Sequence, residues 1–133
     1  MGMRHSRTSH GTYCLEYHLV LVTRRREPCM TPEMLRFLKG ECARILSLSG
    51  SELIRMDGGA AYAHLLISVP PQACLANVVN SLKSSTSRLM RGRYASYLSQ
   101  YFDGPYFWDR SYLVVSSGNA PDEMVRQYIE GQR

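Results

Sequence analysis

Three observations place this chain in the α+β class, as one antiparallel sheet with helices on a face. Residues 13–23 and 62–69 are apolar with a period of two, the signature of strands. Residues 31–50 and 75–91 repeat apolar side chains every three or four positions, the signature of amphipathic helices. With two further short strands, these segments follow in the order β-α-β-β-α-β and end on one more helix. That is the split βαβ order of ferredoxin-like folds.

Each element has a local reason. Between Tyr13 and Thr23, Tyr13, Leu15, Tyr17, Leu19 and Leu21 share one face, with Cys14, Glu16, His18, Val20 and Val22 on the other. The second half is apolar on both faces, which predicts a central strand. Arg24, Arg25 and Arg26 follow at its end. Thr31-Pro32-Glu33 starts a helix with a capping hydroxyl, a proline and an acid. Leu35, Leu38, Cys42 and Ile45 then form its apolar face, and Gly50 closes it.

Glu52 to Met56 reads as a short strand and Gly58-Gly59 as a turn. Tyr62 to Val69 is a strongly apolar strand stopped by Pro70-Pro71. A second helix over 75–91 buries Leu75, Val78, Val79, Leu82, Leu89 and Met90. Lys83, Ser84, Ser87, Arg88 and Arg91 line its opposite face. An irregular stretch over 93–110 follows, then a fourth strand from Tyr112 to Ser116. Asn119 to Glu123 opens the last helix, with Pro121 and two acids in its first turn. Two helices on one face leave the other open, where such folds commonly bind nucleic acid or dock an added helix.

The chain has 133 residues, enough for one domain. We divide it into a flexible tail, 1–12, and a single domain, 13–133. Composition is 44% hydrophobic and 20% charged, which excludes disorder and collagen-like structure. No apolar run approaches the ~20 residues of a membrane span, and residues 1–12 lack the apolar core of a secretory signal. A cytoplasmic protein without membrane contact is expected. Cys14, Cys29, Cys42 and Cys74 show no C-x-x-C pairing, so reduced thiols are the expectation.

Net charge is +5. Residues 1–30 carry five Lys/Arg against two acids, residues 83–110 the same, and residues 58–82 carry none of either. Two basic segments around a neutral one point to a polyanion, with nucleic acid first.

Three features bear on chemistry, and each has two readings. In the last helix Met124, Tyr128 and Gln132 recur at i, i+4, i+8. A phenol and an amide one turn apart serve as nucleophile and metal-ligand oxygen, or as a half-buried tyrosine beside a solvated glutamine. Tyr62 and His64 share a strand face. There the histidine is a ligand, or a hydrogen-bonded core residue. Residues 94–108 hold seven of the thirteen aromatics, Tyr94, Tyr97, Tyr101, Phe102, Tyr106, Phe107 and Trp108. Interleaved with arginine they suit base stacking, or they form a core edge or dimer interface. His18 reads as structural, since the strand pattern accounts for it.

Taken together, these residues resemble a family. The anchors are Glu16-Tyr17-His18-Leu19-Val20, then His64-Leu65-Leu66-Ile67-Ser68 with Pro70-Pro71, and Asn80-Ser81-Leu82-Lys83 with Ser85, Ser87, Arg88 and Leu89. Phe107-Trp108 with Ser111-Tyr112, and Gly118-Asn119-Ala120-Pro121 with Gln127-Tyr128-Ile129-Glu130 and Gln132, complete them. In order and spacing they are similar to the small single-tyrosine transposases of bacterial and archaeal insertion sequences, in the HUH endonuclease group.

The resemblance implies a ferredoxin-like core, a homodimer, and action on single-stranded DNA at hairpins, with no small-molecule substrate. It implies that Tyr128 attacks a phosphodiester, forming a 5′-phosphotyrosine and freeing a 3′-hydroxyl. It also implies a Mg²⁺ or Mn²⁺ site built from two histidines, separated by one hydrophobic residue, and a glutamine. His64 matches the second histidine and Gln132 the glutamine. Tyr62 stands where the first histidine belongs, after Ala61 in place of the usual acid. In the family the last helix can pack against the partner, pairing one chain's Tyr128 with the other's His64.

That departure falls on the chemistry. A phenol titrates near pH ~10 and is a weak nucleophile at neutrality. A divalent cation neutralises and orients the phosphate for in-line attack. With one imidazole and one amide, the site keeps two of three protein ligands, and a neutral phenol is a poor replacement. Two readings follow: a transposase, favoured by Tyr128 and Gln132, and a hairpin-binding relative that does not cleave, favoured by Tyr62 and Ala61. A deliberate change at this position is a third explanation of Tyr62. For DNA phosphates the expected contacts are Lys83, Arg88 and Arg91, with Arg24, Arg25 and Arg26 nearby.

Overall fold

The structure, a computed structural model, describes residues 6–8, 11–118 and 122–131. Its elements are β1 (Ser6–Thr8), β2 (Gly11–Tyr13), β3 (Glu16–Thr23), α1 (Pro32–Ser47), β4 (Glu52–Gly58), β5 (Tyr62–Ser68), α2 (Leu75–Arg93), α3 (Ala95–Leu98), β6 (Trp108–Ser116) and α4 (Asp122–Ile129). β3 to β6 form one antiparallel sheet in the order β4-β5-β3-β6, so β3 is central as its two-sided apolar pattern predicts. The fold is the expected α+β, ferredoxin-like arrangement.

The helix caps follow the sequence. Thr31 Oγ1 accepts from the Met34 amide at 3.1 Å. After α1 the chain reverses through Gly50, whose φ of +75° is the left-handed conformation glycine favours. α1 and α2 bury Met34, Leu38, Cys42, Val79, Leu82 and Met90 against Leu19, Leu21, Leu65 and Ile67 of the sheet. That layer is the main core. The opposite face is covered by α4, where Val125 packs on Val20 and Val22.

Three boundaries differ from the sequence reading. The first strand is broken at 14–15, and the segment before it pairs β1 with β2, Ser6 opposite Tyr13. That pairing is a ladder between neighbours with no hydrophobic period to betray it. The irregular stretch after α2 contains α3, and β6 begins at Trp108 rather than Tyr112. Its aromatics are mostly a core edge: Phe102, Phe107 and Trp108 are buried and only Tyr106 is exposed. Trp108 Nε1 donates to Thr86 Oγ1 at 2.9 Å, which satisfies both groups inside the core. The opening of the last helix at Asn119 to Pro121 lies outside the described residues.

Among the described residues no helix is long and apolar enough to cross a membrane.

Candidate active site

Period-two alternation puts Tyr62, His64 and Leu66 of β5 on the face turned toward α4, with His18, Val20 and Val22 of β3 beside them. In the antiparallel ladder Val20 is opposite His64 and His18 is opposite Leu66. The two histidines are therefore diagonal neighbours, within reach of each other's rings. The rings stack with centroids 5.1 Å apart, and His18 Nδ1 lies 2.8 Å from His64 Nε2. One nitrogen carries the proton between them.

On the far side of His64, Nδ1 is 3.6 Å from Asp57 Oδ1, supplied by the facing position of β4. Burial lowers the pKa of His18, with His64 and Arg55 adding to it and Asp122 opposing. Burial is also the main cause lowering His64; Arg55 adds to it, and Asp57 and Asp122 oppose. Both rings are held in the neutral form that binds metals.

Tyr62 has other neighbours. It packs with Val20, Val22 and Val125, and its ring lies over Gly59, where a Cβ would stand 2.7 Å from Cε1. The phenol fills an apolar seam.

Tyr128 lies on the same sheet face, near the opposite end of α4 from Asp122. Between Leu21 and Thr23 of β3, the β6 partner jumps from Tyr112 to Trp108, a bulge that pushes Asp109 to Ser111 out of the ladder. Ser111 Oγ is 2.7 Å from the Tyr128 hydroxyl and 2.7 Å from Asp109 Oδ2. An ionised carboxylate only accepts, so Ser111 donates to Asp109 and Tyr128 donates to Ser111. The Asp109 pKa is lowered: burial opposes, and the hydroxyl and amide of Ser111 outweigh it, joined by the Arg25 amide and Lys83. The Arg26 guanidinium lies 5.3 Å from the Tyr128 ring centre and donates to the Ile129 carbonyl at 3.3 Å.

The basic residues fall into two groups. Arg24, Arg25 and Arg26 form a 3₁₀ turn in which Arg25 and Arg26 have φ of 53° and 55°. Left-handed backbone at a non-glycine residue costs about 1–2 kcal/mol. Here it turns Arg26 onto α4. Arg24 lies 3.8 Å above the Tyr106 ring, and its buried Nε has no hydrogen-bond partner among the described residues.

Arg88 is exposed, while Arg91 is half-buried and donates to Ser87 at 3.2 Å. Lys83 is engaged inside the chain, donating to the carbonyls of Asp109 at 2.7 Å and Arg110 at 3.0 Å. Its pKa is lowered by burial, against the pull of Asp109. Two of its three donors thus fasten the start of β6 to α2. Tyr106 lines a cleft of about 260 Å³ with Asn80, Lys83, Ser87 and Arg110, so the two basic segments of the sequence meet at one edge.

Gln132 lies outside the described residues. Among the described residues no three His, Cys, Asp or Glu side chains converge as a metal site. The donors present are two facing neutral imidazoles, which fit a divalent first-row cation whose other ligands are water, an amide or phosphate oxygen.

The profile of the family described as Transposase IS200 like matches residues 11–132. The chain belongs to that family. It is 30% identical over 120 residues to the ISDra2 transposase TnpA of Deinococcus radiodurans, covering 90% of this chain and 85% of that one. Its fold matches a crystal structure of a candidate transposase from the same species with a TM-score of 0.85 and 28% identity, over 96% of this chain and 98% of that one. A REP-associated tyrosine transposase bound to a REP hairpin shares the fold at a TM-score of 0.57, over 93% and 68% of the chains, with 10% identity.

For this IS200-like transposase, sequence reasoning missed His18, Ser111 and Asp109 as members of the site. The period-two face of β3 holds the signal for His18, but the pairing of β3 with β5 is needed to use it. Ser111 stands among the anchors of the resemblance, but nothing in the sequence joins it to Asp109 and Tyr128, since a bulge presents them.

Proposed function

We propose that this protein is a DNA transposase that cleaves and rejoins single-stranded DNA at hairpins, with Tyr128 as nucleophile. The observation that carries the reading is the Tyr128 hydroxyl, held at 2.7 Å by Ser111 on the sheet face that carries His64. In the step proposed, a bond forms from Tyr128 Oη to phosphorus as the bond from phosphorus to O3′ breaks. The phenolic proton passes to Ser111 as the proton of Ser111 moves to Asp109, and the departing O3′ takes a proton from water to become a 3′-hydroxyl.

A divalent cation, Mg²⁺ or Mn²⁺, when bound supplies charge neutralisation and orientation of the phosphate. His64 and the amide of Gln132 are the ligands the family resemblance assigns. The other residues bind and aim the DNA. Exposed Arg88 and Arg25 suit phosphates. The Tyr106 cleft, with Arg110 and Ser87 in its lining, suits one strand. A homodimer belongs to this reading, with α4 exchanged or not.

The test is incubation with Mn²⁺ and single-stranded oligonucleotides tiling the flanks of the gene, followed by denaturing electrophoresis. A covalent protein–DNA band absent in Tyr128→Phe is expected; no band with any oligonucleotide would overturn cleavage. A second reading, a hairpin binder that does not cleave, draws on Tyr62 standing where the family has a histidine and packing in the apolar seam. Hairpin binding without a band favours it.

A further inference from the structure

The site lacks the imidazole that position 62 would carry, yet a second imidazole stands against His64. We propose that His18 replaces it, so that His18 Nδ1 and His64 Nε2 are the nitrogen pair that takes the divalent cation. This rests on the transposase reading and gives its metal site a composition of its own.

The geometry carries the assignment. A first-row cation bonds imidazole nitrogen at about 2.1 Å, so two ligands at right angles stand about 3 Å apart. The observed separation is 2.8 Å, a hydrogen-bond contact close to that spacing, whose shared proton must leave before a cation binds. His64 is 17% exposed at its side chain, so the pair is reached from solvent while His18, 6% exposed, is clamped in the sheet. Asp57 Oδ1, 3.6 Å from His64 Nδ1, favours a proton on that nitrogen and leaves Nε2 to accept from His18 Nδ1. A carboxylate behind a ligand histidine orients the ring and raises its basicity. His18 must then carry its proton on Nε2, a change of tautomer with no change in charge.

The strand register explains why a diagonal pair serves. Tyr62 and His18 flank His64 on the same sheet face, one two residues along β5 and the other across the ladder beside Leu66. Moving the partner from β5 to β3 keeps two nitrogens close and shifts the cation toward the first turn of α4, where the charge of Asp122 acts on both rings against the larger opposing influence of Arg55. Tyr62 is released to pack under Val125. Two imidazoles favour Mn²⁺ over Mg²⁺, which prefers oxygen.

The experiment is Mn²⁺ binding to the full chain, followed by electron paramagnetic resonance, with nitrogen couplings read from the spin-echo spectrum. Wild type should show two coupled imidazole nitrogens. His18→Phe, which keeps a ring in the buried slot, should show one and bind at least ~10–100-fold more weakly, as should His64→Phe. Tyr62→Phe should bind as wild type does. His18→Gln serves as a second variant, and circular dichroism checks that each is folded. Unchanged Mn²⁺ affinity in folded His18→Phe and His18→Gln, or no binding by wild type, would overturn the assignment. Hairpin affinity of the same samples in metal-free buffer separates the two claims, since its absence from wild type counts against the transposase reading itself.

Discussion

Ser111 Oγ sits 2.7 Å from the Tyr128 hydroxyl and 2.7 Å from Asp109 Oδ2, so a residue in a strand bulge links the terminal helix to a carboxylate. Ser111 and Tyr128 are 17 positions apart in the chain. The link orients the phenol and offers its proton a path.

Ser111→Ala should therefore slow formation of the covalent DNA adduct by about 100-fold, the lower end of proton-transfer effects. Hairpin affinity should not change, since Ser111 contributes no charge. Single-turnover gels set beside equilibrium binding check this; equal adduct rates would show that the hydrogen bond is only structural.

The same chain gives an acid dependence. The Asp109 pKa is lowered although burial opposes the shift, so its ionised form favours the folded state. That contribution is present above the ordinary carboxylate pKa of ~3.9 and is lost as pH falls through the lowered native value. Asp109→Asn should flatten this acid limb of a urea-stability profile and leave the neutral arm less stable than wild type.

Lys83 and Arg88 should separate stability from DNA affinity. Lys83→Met removes the donors that hold the Asp109 and Arg110 carbonyls, so its urea midpoint should fall. Arg88→Ala, at an exposed position, should leave the midpoint in place and reduce the salt slope of hairpin binding by about 1.

Thr86→Val keeps the shape of a fully buried side chain and removes the acceptor of Trp108 Nε1. A buried indole N–H left unpaired costs about 1–3 kcal/mol. Denaturant titration followed by tryptophan fluorescence measures it, helped by Trp108 being the one tryptophan.

Thiol reactivity tests the core. Burial pushes Cys42 up to about 12 and Cys29 up to about 11, so neither offers thiolate at pH 8. Exposed Cys74 should react at once with a disulfide reagent, and Cys29 and Cys42 only at the rate of unfolding.

The amino-acid sequence by itself determined the order of the four sheet strands and the three long helices, the central strand, the capped α1 and the terminal helix bearing Tyr128. These follow from periods of two and about 3.6 and from capping residues, all local in the chain. Tertiary structure decided which side chains meet. His18 and His64 lie 46 residues apart, and only the β3–β5 register makes them neighbours. Residue type placed Lys83 with the DNA contacts, yet the start of β6 uses two of its donors. A two-strand register and a bulge are set by long-range hydrogen bonds, and periodicity carries no record of them.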